Sequence, residues 1–184
     1  MKINRALNLV IPIEGGGYVH STPISREVFE KYFLVISKTF ANIFSQGLGA
    51  LAGPRVAFLM LKKTAEEMGN WPEVVGGLIN EITRLSNLAY PTEKGWKTLP
   101  LTSAVAKGVI NEDDFHEIEG ELVFFTCVSM MNKRNQVEPI METVNGLWGS
   151  QTTSFAFTEF TNSLKTSTEA VNSGETETTS SVPA

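Results

Sequence analysis

Cysteine is almost absent. Cys127 stands alone among 184 residues, so the chain can form no internal disulfide and suits a reducing compartment. Histidine is nearly as scarce, with only His20 and His116. Together with one thiol they leave little for a zinc site, which draws on several nitrogen or sulfur ligands. Charged residues are few, 19% against a usual ~25%. Their sum is −5. Duplex nucleic acid is neutralised by clustered Lys and Arg, so this balance argues against a nucleic-acid partner. Lys62–Lys63 and Lys133–Arg134 are too small to reverse it. No apolar run reaches the ~20 residues of a membrane helix. The longest, Leu122 to Met131, already contains Thr126 and Ser129. A leader peptide is the one targeting segment to weigh, because Lys2 and Arg5 precede the apolar stretch Ala6 to Ile13. That stretch holds Asn8 and Pro12 and ends in Glu14 and three glycines without a small-x-small pattern, so it reads as structure.

What is present fits a globular chain. A length of 184 residues suggests one domain, or one domain plus a tail. Hydrophobic residues make up 42% before glycine is counted, enough for a single core.

The N-terminus alternates. Leu7, Leu9, Ile11 and Ile13 share one parity, the period of a half-buried strand. Gly15, Gly16 and Gly17 supply a tight turn, and Tyr18-Val19-His20 returns as a second strand, giving a β-hairpin within residues 1–23. Ser25 then caps a helix of about 20 residues, stopped by Gly47. Its apolar positions are Phe29, Tyr32, Phe33, Ile36, Phe40, Ile43 and Phe44. After a loop over 47–53, Pro54 opens a second helix that runs to Met68. Pro72 opens a third, with Val75, Leu78, Ile79, Ile82, Leu85 and Ala89 as its buried stripe and Gly76-Gly77 as a weak point. Tyr90-Pro91 ends it. A polar loop over 91–100 surrounds Trp96, and a short helical turn follows at Thr102–Lys107. Asn111 caps a further helix with Phe115, Ile118, Leu122, Phe125 and Ser129 in register. Pro139 sits in the first turn of the next, which carries Ile140, Val144, Leu147 and Trp148. The segment Thr153–Leu164 fits a strand through Phe155 and Phe157, or a helix through Phe157, Phe160 and Leu164. Helical neighbours favour the helix.

From Lys165 the composition changes. Nine of the last 20 residues are Ser or Thr and three are Glu. Such a segment buries too little apolar surface to offset its ordering entropy, so a disordered tail over 165–184 is expected. The predicted architecture is mainly α: five to six helices over 1–164, the N-terminal hairpin, and that tail.

Candidate chemistry is thin. Gly47-Leu48-Gly49-Ala50-Leu51-Ala52 matches a dinucleotide fingerprint, but a helix precedes it where a strand is required, so it reads as a helix–helix turn. Asp113-x-x-His116 places a carboxylate and an imidazole one turn apart. Carboxylate-bridged metal centres need two such pairs, and acid at a helix start is otherwise explained by the helix dipole. Cys127, within Phe124-Phe125-Thr126-Cys127-Val128, reads as a core thiol. No Gly-x-Ser-x-Gly elbow or His-Glu-x-x-His motif occurs. The aromatics say more: Phe29, Phe33, Phe40 and Phe44 line one helix, either as core or as a docking groove for a client or a second copy.

The run Ile3 to Ile13, then Tyr18 to Phe33, is similar to a group of bacteriophage tail morphogenesis proteins, described as tail assembly chaperones or as uncharacterised tail proteins. The likeness continues through Ala52-Gly53-Pro54-Arg55-Val56, Ala65 to Gly69, Leu122 to Phe125, Trp148 to Ser154 and Thr158-Glu159-Phe160, so it spans nearly the whole chain. The resemblance implies a non-enzymatic protein of the host cytoplasm with no cofactor and no catalytic residues. It would bind the tape measure protein and recruit tail tube subunits during assembly. A structural minor tail or connector protein retained in the virion is the alternative. A small metal- or thiol-dependent enzyme around Asp113, His116 and Cys127 is a more distant one.

Overall fold

The computed structural model describes residues 6–173, with side chains to residue 166. It is mostly helical, as expected, but it also holds a five-stranded antiparallel sheet. The hairpin forms where alternation places it. Strand β1 (Asn8–Pro12) pairs with β2 (Tyr18–Ser21) in the register Leu9↔Ser21 to Pro12↔Tyr18. Gly15 and Gly16 take φ of +86° and +85°, a region that L side chains avoid.

Helix α1 (Arg26–Ser45) starts on Ser25, whose side chain accepts from the Val28 amide, and Gly47 follows its end at φ +69°. Helix α2 (Gly49–Glu67) begins five residues before the expected Pro54. The stretch predicted as a loop over 47–53 is therefore mostly the first turns of α2. Pro54 lies inside the helix, where it removes one amide donor.

The third predicted helix is shorter than its apolar spacing suggested. Helix α3 (Trp71–Val74) runs through a π-helical stretch, Val75–Ile79, into α4 (Asn80–Arg84). The buried residues are Val74, Leu78 and Ile82, while Val75 faces outward. Gly77 is required by packing, because a Cβ there would overlap the Tyr32 hydroxyl. The residues that follow form a strand. Strand β3 (Ser86–Thr92) pairs with β2, and β4 (Gly95–Pro100) pairs with β3, so the expected polar loop around Trp96 is a hairpin arm. Leu88 and Ala89 are both buried. Ala89 fits a helical stripe as well as a strand, and only the open edge of β2 selects the strand.

Helix α5 (Leu101–Ala106) matches the expected short turn. Helix α6 (Glu112–Met131) starts on Asn111, whose side chain accepts from the Asp114 amide at 2.8 Å. Helix α7 (Arg134–Trp148) places Pro139 in its second turn rather than its first. Its buried residues are Val137, Met141 and Val144, whereas Leu147 is exposed. Strand β5 (Gln151–Thr153) then adds to the other side of β1, and α8 (Phe157–Ser173) follows. The sheet order is β4-β3-β2-β1-β5. Helix α8 carries helical structure past Lys165, where a tail was expected, and residues 174–184 of that tail lie outside the described residues.

Helices cover one face of the sheet and α8 lies on the other. Leu9, Ile11, Val19 and Leu88 join the helical core with Ile36, Ile43, Leu61, Leu122 and Phe124. The opposite parity, Asn8, Val10, Tyr18 and His20, faces α8, where Phe160 meets the Tyr18 ring edge-on at 5.7 Å. The hairpin is therefore buried on both faces, and the half-buried strand inferred from alternation is a central one. Helices α2 and α6 pack closest of all. A Cβ on Gly53 would overlap Phe124, and one on Gly120 would overlap the Pro54 carbonyl.

Candidate functional site

The four phenylalanines of α1 do not share one environment. Phe29, Phe40 and Phe44 are partly buried and packed on the core. Phe44 stacks on Phe124 with ring centroids 6.1 Å apart, and Phe40 leans on Phe44 at 4.5 Å. Phe33 is the open member. It is 50% exposed, its neighbour Leu34 is 53% exposed, and its ring meets Phe29 edge-on at 5.6 Å. The fully buried stripe of α1 is Tyr32, Val35, Ile36, Thr39 and Ile43. Phe33 and Leu34 thus form an apolar step on a rigid helix, braced from behind by Phe29.

A hollow of about 620 Å³ lies beside the N-terminal half of α6. Phe58 of α2, Val105 of α5, Ile110 and Phe115 supply apolar walls. Phe58 is held by the edge of Trp71 at 6.0 Å. Glu112, His116 and Glu119 form the polar rim. His116 Nδ1 lies 3.3 Å from Glu119 Oε2 and His116 Nε2 lies 4.0 Å from Glu112 Oε1. The partners of this imidazole are therefore Glu112 and Glu119, not the Asp113 that its spacing suggested. Burial pushes the Glu119 carboxyl above its usual range, and His116 pulls it partly back. The spacing of Phe115, His116 and Glu119 along α6 was readable. The contribution of Phe58, Val105 and Ile110 was not, because it depends on how α2 and α5 pack.

A second crevice, of about 300 Å³, brings Glu14 of the hairpin turn to Asp114, Glu117 and Glu121 of α6. Burial, with the Glu117 charge adding to it, raises Glu121 to about 7, against the pull of a hydrogen bond with Ser150. The Ser150 hydroxyl also lies 3.3 Å from Asn145 Oδ1, and it has one proton to give.

His20 and Cys127 lie apart from these hollows. His20 is fully buried beneath α8. Its Nε2 and the Asn8 amide both reach the Phe155 carbonyl at 2.9 Å, so both act as donors. Nδ1 then carries no proton, and burial lowers the pKa of the ring. Cys127 is buried in α6 and its thiol is pushed up to about 12. Among the described residues, no group of three or more His, Cys, Asp or Glu side chains is arranged to hold a metal ion. The fingerprint-like Gly47 to Ala52 forms the α1–α2 turn and the start of α2. Among the described residues, no helix is long and apolar enough to cross a membrane.

No family model, curated protein or solved structure matches this chain.

Proposed function

We propose that this chain is a non-enzymatic tail assembly chaperone that binds tape measure or tail tube protein in the host cytoplasm during phage tail morphogenesis. The reading rests on the sequence likeness and on one structural observation: the paired exposure of Phe33 and Leu34 on α1. A holdase must offer apolar surface to a client on a framework that keeps its own shape. Phe29 and the α1 core stripe provide that framework, and the net charge of −5 favours solubility while the apolar step is open.

The test is capture of tagged protein from cells that express the tail genes with it, followed by mass spectrometry. Enrichment of tape measure or tail tube protein supports the reading. Co-purification with finished particles instead identifies a virion component. Phe33→Ser with Leu34→Ser should abolish client capture and leave the melting temperature unchanged. A collapse of stability would assign both residues to the core.

A further inference from the structure

We infer that the hollow between α2, α5 and α6 receives an apolar side chain from a partner polypeptide that carries a lysine or arginine beside it. This deepens the client-binding reading above and rests on it for the partner's identity.

The size and the walls favour an apolar anchor. The hollow is open to solvent, and its volume of about 620 Å³ leaves room for a large apolar side chain. Ile110 is buried at 3% exposure and forms a fixed apolar part of the wall. Phe58 and Phe115 pack against the core from opposite helices. Buried aromatic and aliphatic anchors carry most of the energy at protein interfaces.

The rim selects the charge. Glu112 and Glu119 both line the hollow, and the Glu119 side chain is only 13% exposed. Among the described residues, no lysine or arginine pairs with either carboxylate. Their partner is His116, 4.0 Å from Glu112 and 3.3 Å from Glu119. A purely apolar partner would strip water from the Glu112 carboxylate, now 90% exposed at the rim, without compensation, which is costly. An acidic partner would be repelled. A cation next to the apolar anchor removes both penalties.

The experiment uses the full chain and two labelled peptides of the same length and order, one built of Leu and Lys and the other of Leu and Glu. Binding is read by fluorescence anisotropy. The Leu/Lys peptide should bind at least about tenfold more tightly. Glu112→Gln with Glu119→Gln should remove about that advantage, since both changes are nearly isosteric and keep the walls. Glu14→Gln with Glu117→Gln, at the other acidic crevice, should leave it unchanged. Equal binding of the two peptides overturns the inference. So does a Leu/Lys affinity indifferent to the first pair of substitutions, or equally sensitive to the second. Tail-protein capture that survives Glu112→Gln with Glu119→Gln overturns the assignment of this hollow and leaves the chaperone reading standing. Peptide discrimination without any tail-protein capture upholds the chemistry of the hollow and removes the chaperone reading.

Discussion

The indole N–H of Trp148, at the end of α7, donates to the Ala50 carbonyl in α2 at 3.2 Å. In an uninterrupted helix that carbonyl would accept from the amide four residues on. That residue is Pro54, which has none. A proline inside one helix is thus compensated by the side chain of another, which reaches a carbonyl 98 positions away in sequence.

Trp148→Phe should keep most of the ring packing and lose the donor, at about 1 kcal/mol for a partly buried carbonyl. Pro54→Ala restores an amide in the right place, so the two substitutions should be non-additive: the cost of Trp148→Phe should shrink in the Pro54→Ala background. Urea denaturation of the four proteins measures the coupling. Strict additivity would mean that the indole does not stand in for the missing amide.

Gly120→Ala should be among the most damaging small changes. The added methyl group meets the backbone carbonyl of Pro54, which cannot rotate away as a side chain can. Helices α2 and α6 must separate, at about 1–3 kcal/mol. Gly146→Ala is the control, since nothing lies near its Cβ position and alanine favours helix by ~1 kcal/mol. Thermal melts should move in opposite directions for the two.

Stability should fall as pH rises toward neutrality. Glu121 titrates at about 7 in the folded chain against an ordinary glutamate value of 4.5, so the native state binds more protons between those values. Stability then decreases with rising pH across that window, by at most about 1.4 kcal/mol per pH unit for one group. Raised Glu119 adds to the same slope. His20 has the opposite sign, because its lowered pKa costs stability as pH falls below about 6.5. Glu121→Gln should flatten the decline between pH 5 and 7 in chemical denaturation. An unchanged slope would mean that Glu121 is ionised in the native state.

Cys127 should be inert. Its thiol is buried and held near 12, and the thiolate is the reactive form. A thiol reagent at pH 8 should label the unfolded chain promptly and the native chain only at the rate of opening. Rapid labelling of the native protein would refute the buried placement.

The local signals in the chain were decisive wherever the chain answers to itself. Ser25 and Asn111 accept amide hydrogen bonds at the helix starts they mark. The glycines after Ile13 turn the hairpin, and the spacing over Ile118 to Phe125 marks the central helix. These features depend on a few neighbouring residues. Three other features were not readable because they depend on partners distant in sequence. Ser86 to Ala89 could continue a helix, and 91–100 could be a loop, until the free edge of β2 is present to pair with this segment. Pro54 looked like a helix start because nothing local announces that Trp148 will satisfy Ala50. The hollow beside α6 exists only once α2 and α5 bring Phe58 and Val105 to Phe115 and Glu119. Caps, turns and periodicity were written in the sequence because their energies are local. The sheet's extent, the proline's tolerance and the shape of the binding surface were decided by tertiary packing, because each unpaired edge, orphaned carbonyl or apolar wall finds its partner only when distant segments meet.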